Sequence, residues 1–242
     1  MRTYIDEEAL MKLIQRQGYL DFLRRNRNRP IVKVVSGIRR CGKSTLFRLF
    51  KDELLSEGVK PEQIISINFE ELEYEHLRDY HALYQYILER MQPNEINYIF
   101  LDEIQHVDQF HRVVDSLFVK ENTDLYITGS NAYFMSSDIA TLLTGRYVEI
   151  QMLPLSFSEF YYSKYDGNQY SLIPAYESYL RESSFPYTQQ LGGEDFDIQE
   201  YLRGLYNTLL LHDVVARLKI NDVTILQDIV RYIMANVGSL LS

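Results

Sequence analysis

Apolar positions along the chain follow two alternating patterns. Ile31, Val32, Val34 and Val35 form a short apolar block suited to a strand, and Ser44 to Leu54 then carries helix formers with helical apolar spacing. The alternation continues with strand patterns at Ile64 to Phe69, Tyr98 to Leu101, Leu125 to Thr128 and Tyr147 to Met152, and helical patterns at Tyr80 to Met91 and Phe110 to Lys120. Strands alternating with helices predict an α/β fold, a parallel sheet flanked by helices. Beyond Pro154 the strand signals fade. Helical patterns follow at Phe157 to Tyr165, at Ala175 to Arg181, along Ile198, Tyr201, Leu202, Leu205 and Leu209, and from Asp222 through Ile225, Leu226, Ile229, Val230 and Ile233, with Gly238 as a stop. A helical pattern also opens the chain at Tyr4, Ile5, Leu10, Leu13 and Ile14. The expected organisation is an N-terminal helical segment and basic linker over 1–29, an α/β core over 30–155 and a smaller helical region over 156–242.

The chemistry is concentrated where the first strand ends. Residues 37–44 read GIRRCGKS and match GxxxxGK[ST], which wraps backbone N–H groups around a nucleoside triphosphate. Strand, loop and helix come in the order this motif requires. The contacting residues are then Gly37, Ile38, Arg39, Arg40, Cys41, Gly42, Lys43, Ser44 and Thr45. Glycines allow close approach, Lys43 can reach the β and γ oxygens, and the Ser44 hydroxyl can ligate Mg²⁺.

A second metal-holding group is expected at Asp102, which closes the apolar strand Tyr98 to Leu101; the adjacent Glu103 can polarise the attacking water. The strand ending at Thr128 runs into Gly129, Ser130 and Asn131, and a polar side chain there, Asn131 above all, could contact the γ-phosphate or orient the water. Turn chemistry alone also explains those residues. Arg146 precedes the last strand and is a candidate cation for the γ-phosphate, in cis or from a neighbouring copy.

Composition bounds the rest. With 242 residues and 46% apolar content the chain can fill a real core, and the absence of an apolar run of membrane-spanning length or a secretory leader predicts a soluble cytoplasmic protein with no membrane partner. One cysteine, Cys41, excludes an intrachain disulfide framework; its thiol reads as an incidental small residue rather than a redox sensor. A net charge of −9 argues against a chain-wide polyanion surface. A local one remains open at Arg24, Arg25, Arg27 and Arg29, read first as a charged linker and alternatively as a DNA contact. Seven tyrosines between Tyr161 and Tyr187 are expected to pack helices rather than to stack bases.

Taken together, GIRRCGKST, the stretch Phe100 to Gln105, TGSNA at Thr128 to Ala132, LTGR ending at Arg146, LPLSFSEF at Leu153 to Phe160, YLRGLYNTLLLHDVVARLKI and ANVGSLLS give a chain that resembles prokaryotic AAA+-like P-loop ATPases related to the STAND and archaeal ATPase groups. The resemblance implies a P-loop NTPase fold with ATP and Mg²⁺ as cofactors. Family members continue into a winged-helix segment and a further domain, so this chain, ending on Ser239, Leu240, Leu241 and Ser242, is expected to be a truncated form or a fragment.

Two functions follow. The first is a Mg-dependent ATPase acting as a regulatory or switch module on an unidentified protein partner, with a homo-oligomer as a candidate assembly. The second is a nucleotide-gated protein- or DNA-binding module with negligible turnover. A helicase is excluded because the roughly 140 residues after Asp102 leave no room for a second motor domain, and no NKxD stretch is present to read guanine.

Overall fold

The apolar blocks fold as strands β1 Val32–Gly37, β2 Ile64–Asn68, β3 Asn97–Asp102, β4 Thr123–Ser130 and β5 Tyr147–Met152. All pair in parallel, in the order β2-β3-β4-β1-β5. Four helices connect and cover them: α1 Gln17–Asn26, α2 Lys43–Ser56, α3 Tyr80–Arg90 and α4 Phe110–Phe118. The computed structural model describes residues 14–130, 143, 145–165, 170–191, 195–209, 215 and 222–239. Tyr4, Ile5, Leu10 and Leu13 of the expected opening helix lie outside them, and Ile14 is not helical.

Side chains of a strand point alternately to opposite faces, and the sequence fills both. Val35, Tyr98, Phe100 and Tyr126 pack with Leu20 and Leu23 of α1 and with Leu46, Phe47, Phe50 and Leu54 of α2. Their intervening neighbours Val34, Ile99, Leu101 and Ile127 pack with Leu83 and Ile87 of α3 and with Val113, Val114 and Leu117 of α4. Phe100 and Tyr126 stack with centroids 4.6 Å apart, and Phe47 meets Phe100 edge-on at 5.2 Å. Burial on both faces explains why β1 and β3 read as continuous apolar runs.

β1 lies between β4 and β5, while the chain leaving it crosses to β2 at the far edge. Such a reversal opens a crevice at the carboxyl ends of the strands. The register places Gly37 beside both Ser130 and Met152, and Asn68 beside Asp102, so these strand ends share one edge.

The basic run differs from the expected linker. Arg24 and Arg25 form the last turn of α1, where cations complement the helix dipole. Arg24 pairs with Glu53 at 2.6 Å, and Arg27 pairs with Glu57 and donates to the Tyr98 hydroxyl at 3.3 Å. Arg24 and Arg27 therefore clamp α1 to α2 and to the sheet, with their charge answered within the fold.

Beneath them lies a buried ion pair. The Lys33 ammonium, 0% exposed, donates to Asp124 and to the Arg29 carbonyl, the latter at 2.9 Å. Asp124 also accepts the Tyr126 hydroxyl at 2.7 Å and the Asn28 N–H at 2.9 Å. Burial pulls the Lys33 pKa below its ordinary value despite the opposing charge of Asp124.

The chain divides into compact units over 1–190 and 191–242. The first keeps α5 Phe157–Tyr165 and α6 Leu172–Glu182 with the sheet. The reason is local: Phe160 is fully buried, the Leu155 N–H donates to the Ser184 carbonyl at 2.7 Å, and the Tyr179 hydroxyl donates to the Leu155 carbonyl at 2.8 Å. The tyrosines there do pack helices, as Phe157 meets Tyr161, Tyr176 and Tyr179. The second unit contains α7 Asp195–Thr208 and α8 Val223–Ala235, the latter capped by Asp222 accepting from the Thr224 and Ile225 N–H groups.

Lys33→Met leaves Asp124 charged and buried without its cation. Such removals cost about 3–5 kcal/mol, and urea unfolding should show a loss of that size.

Candidate nucleotide site

β1 ends at Gly37, where the chain turns into the glycine loop because no larger residue fits. A Cβ there would lie 2.4 Å from the Met152 carbonyl oxygen and 2.9 Å from the Cys41 sulfur. The loop ends at Gly42, whose φ of +106° lies in the left-handed region that glycine adopts without strain. α2 begins immediately afterwards at Lys43, with no acidic residue in its first turn. The Leu46 N–H makes the first intrahelical bond, to the Gly42 carbonyl. The amides of Lys43, Ser44 and Thr45 therefore precede it and present the positive end of a 14-residue helix. That is a ready anion site.

Lys43 folds back over this loop. Its ammonium, 4% exposed, donates to the Gly37 carbonyl at 3.1 Å and the Ile38 carbonyl at 3.4 Å, and pairs with Glu103 Oε1 at 3.1 Å. Glu103 is positioned by its backbone: φ 55° and ψ 48° place a non-glycine residue in the left-handed region, which costs about 1–2 kcal/mol. Its N–H donates to Thr128 Oγ1 at 2.9 Å, and that hydroxyl donates to Asp102 Oδ1. Gln105 Nε2 donates to the other Glu103 oxygen at 2.5 Å. Thr128 thus connects both carboxylate residues at the end of β3 to the neighbouring strand.

The two carboxylates titrate in opposite directions. Burial pushes Asp102 above its ordinary pKa, and its hydrogen bonds with Ser44 and Thr128 offset this only in part. Burial also opposes ionisation of Glu103, but the Lys43 charge and the bonds from Gln105 and Lys43 outweigh it and hold the group below the usual carboxylate range. The Ser44 hydroxyl lies near enough to the Asp102 carboxylate to favour its ionised form. These are hard oxygen donors of the kind Mg²⁺ takes beside a phosphate, so the donor set fits that ion.

The other expected residues separate into groups. Ile38 and Cys41 pack against the core of the α2 face, Thr45 is half-buried in the first turn of α2, Arg39 pairs with Glu70 at 2.9 Å, and Arg40 is exposed with φ 67°. Cys41 is fully buried and burial pushes its thiol pKa up, which accords with a packing residue rather than a reactive one. Asn131 lies outside the described residues.

Arg146 lies elsewhere. Its carbonyl accepts from the Val32 N–H at 2.8 Å, at the opposite end of β1 from the loop, and its guanidinium pairs with Asp115 at 3.0 Å over the Phe118 ring. A strand of that length spans about 15–20 Å, so the expectation of a cis contact is corrected: Arg146 cannot reach its own subunit's loop.

Sequence reasoning gave no role to Thr128, Gln105, Arg16 or Glu159. The S-x-x-E spacing of Ser156 and Glu159 was a readable capping signal; Arg16, lone in a polar stretch, gave none.

The AAA domain family matches residues 29–161, more than half of the chain. The chain belongs to this AAA family. Two curated relatives are uncharacterized proteins. One, from Haemophilus influenzae, is 37% identical over 233 residues, covering 95% of this chain and 58% of the relative. The other, from Methanocaldococcus jannaschii, is 30% identical over 224 residues, covering 85% of this chain and 47% of the relative. The chain thus spans about half the length of these relatives. Among solved structures, the Walker-type ATPase of Pyrococcus abyssi superposes with a TM-score of 0.57 at 16% identity, covering 85% of this chain and 76% of its own. The Aeropyrum pernix ORC1 protein, solved in complex with DNA, gives 0.50 at 12% identity, covering 85% and 69%. At such identities the likeness is one of fold, and this AAA chain is a P-loop ATPase domain in architecture. Among the described residues, no helix is long and apolar enough to cross a membrane.

Gly37→Ala drives a methyl group into the Met152 backbone. Overpacking of this kind costs about 1–3 kcal/mol, and thermal unfolding should detect it even without nucleotide.

Proposed function

We propose that this AAA domain binds Mg·ATP at the glycine loop and hydrolyses it, serving as a switch for a partner or an adjoining domain. The observation carrying the reading is the meeting of Lys43, Ser44, Asp102 and Glu103 at one sheet edge, with Lys43 3.1 Å from Glu103 and the Ser44 hydroxyl near enough to Asp102 to favour its ionised form. Lys43 and the head of α2 would hold the phosphate oxygens. Ser44 and Asp102 would hold Mg²⁺, which when bound neutralises charge on the phosphates. Thr128 keeps the Asp102 carboxylate and the Glu103 backbone in register. Glu103, ionised because its pKa is held low, accepts a proton from the attacking water as the bond to the γ-phosphorus forms and the β–γ bridging bond breaks. ADP and phosphate are the products.

One feature favours slow turnover. Both Glu103 oxygens are engaged, one by Lys43 and one by Gln105, so an attacking water must share an oxygen with a donor that lowers its basicity. A nucleotide-gated binding module with negligible turnover is the second reading. Sustained phosphate release separates the two.

Lys43→Ala should remove most affinity for a fluorescent ATP analogue, since the loop loses the cation between the β and γ phosphates. Glu103→Gln should keep binding and slow phosphate release by about 10²-fold or more, within the range for a lost general base. Asp102→Asn should instead weaken the metal-dependent part of binding. Parental release rates in both carboxylate variants would refute the assignment.

Since Arg146 cannot serve its own loop, its proposed role at a γ-phosphate is in trans, in a homo-oligomer. Arg146→Ala should then keep ATP affinity and lose turnover, and mixing it with Lys43→Ala protein should restore part of the rate. A parental specific rate independent of protein concentration, with no recovery on mixing, would leave Arg146 as the structural partner of Asp115.

A further inference from the structure

One buried side chain with all its donors satisfied touches the glycine loop and belongs to neither the phosphate nor the metal set. Arg16 is 5% exposed. A guanidinium has five N–H donors in a fixed fork, and here each has an acceptor. Nε donates to Glu159 Oε1 at 2.8 Å, and Nη2 to Glu159 Oε2 at 2.9 Å and to the Pro154 carbonyl at 3.2 Å. Nη1 donates to the Leu153 carbonyl at 2.6 Å and to the carbonyl of Cys41, inside the glycine loop, at 3.3 Å.

The acceptors come from three separate places: the loop, the connection leaving β5, and the first turn of α5. The last of these is itself tightly fixed. Ser156 and Glu159 form a capping box, the Ser156 N–H donating to Glu159 Oε2 at 2.8 Å and the Glu159 N–H donating to Ser156 Oγ at 3.2 Å. Burial opposes ionisation of Glu159, yet the Arg16 and Ser156 bonds hold its pKa below the usual carboxylate range. The same carboxylate therefore caps α5 and holds the guanidinium that grips the loop. Tyr19 covers the guanidinium at 4.4 Å and accepts the Leu153 N–H at 3.2 Å. A buried charge with five good bonds has no cheap alternative position.

We propose that Arg16 is a positioning residue that ties the glycine loop to the start of α5, so that a nucleotide held by the loop is felt at α5. The proposal rests on the reading that the loop takes a nucleotide, and it adds the route by which the bound state leaves the site. Coupling of this kind is reciprocal: whatever loosens the tie at α5 also weakens the nucleotide.

The test is amide hydrogen exchange on the full chain, with and without Mg²⁺ and a non-hydrolysable ATP analogue, together with the analogue's Kd. In the parent, the analogue should slow exchange both in the loop and in the first turn of α5. Arg16→Lys keeps the charge but has three donors for five acceptors. It should keep slowing at the loop, lose it at α5, and raise Kd about tenfold, within the range of typical coupling between sites. Glu159→Gln should do the same, and it serves if the lysine variant does not fold. Ser156→Ala removes the hydroxyl that accepts the Glu159 N–H and donates to Glu159 Oε2 at 3.0 Å, but leaves every Arg16 bond in place; it should lower thermal stability while leaving Kd and both protections in place.

Parental Kd and protection at both places in Arg16→Lys would make the residue merely structural and overturn the proposal. So would loss of coupling in Ser156→Ala equal to that in Arg16→Lys, because general loosening of α5 would then suffice. Slowing at the loop but not at α5 in the parent overturns the tie and leaves the nucleotide reading standing. Slowing at neither overturns both.

Discussion

An ammonium group that is almost wholly buried has to be paired, and at Lys43 that requirement organises the carboxyl edge of the sheet. Lys43 is the first residue of α2 and is 4% exposed. Its partner, Glu103, arrives from β3, two strands away across β4. The pairing holds only if β1, β4 and β3 end in register. Register in turn depends on both faces being filled, which the alternation of Val35, Phe100 and Tyr126 with Val34, Leu101 and Ile127 achieves. The pair also explains why Glu103 can sit at a strained φ of 55°: the Lys43 contact, the Gln105 bond and the backbone bond to Thr128 together over-determine its position.

Elements governed by local rules were legible in the sequence. β5 at 147–152 and α5 at 157–165 have the bounds that the apolar pattern predicts. The strand, glycine loop and helix from Val32 to Ser56 follow from turn chemistry and periodicity alone. The 3-10 turns at Leu72–Arg78 and Ile104–His106 were not legible, because i, i+3 geometry over a few residues leaves no repeating pattern. Arg24 and Arg25 extend α1 instead of forming a linker, because Arg has high helix propensity and suits a helix C-terminus.

Within the site, Lys43, Ser44, Asp102 and Glu103 follow from motif and strand-end position in the sequence, and the residues that hold them in place do not. Thr128 is buried in a strand, where a threonine ordinarily serves β-propensity. Its hydroxyl matters only because β3 and β4 are neighbours, a fact of topology that no local window contains. Arg16 and Glu159 stand 143 residues apart. Contacts of that separation carry no period and are found only once the fold is closed.

Charge at the site limits how ligand can enter it. Lys43 supplies one cation against the two carboxylates Asp102 and Glu103, and the imbalance appears as opposite shifts: Glu103, paired with Lys43, is held low, while buried Asp102 is pushed up with hydroxyl partners in place of a full counter-charge. A polyphosphate arriving alone would compete with Glu103 for Lys43 and leave both carboxylates facing further negative charge in a poorly solvated place. A divalent cation arriving with it would supply the counter-charge that Asp102 lacks, and would let Lys43 turn from Glu103 to phosphate without raising the net negative charge of the site. On the proposed reading, metal and nucleotide therefore bind as one species, and the freed Glu103, losing its strongest stabilising partner while still buried, becomes a stronger base at the step that needs one.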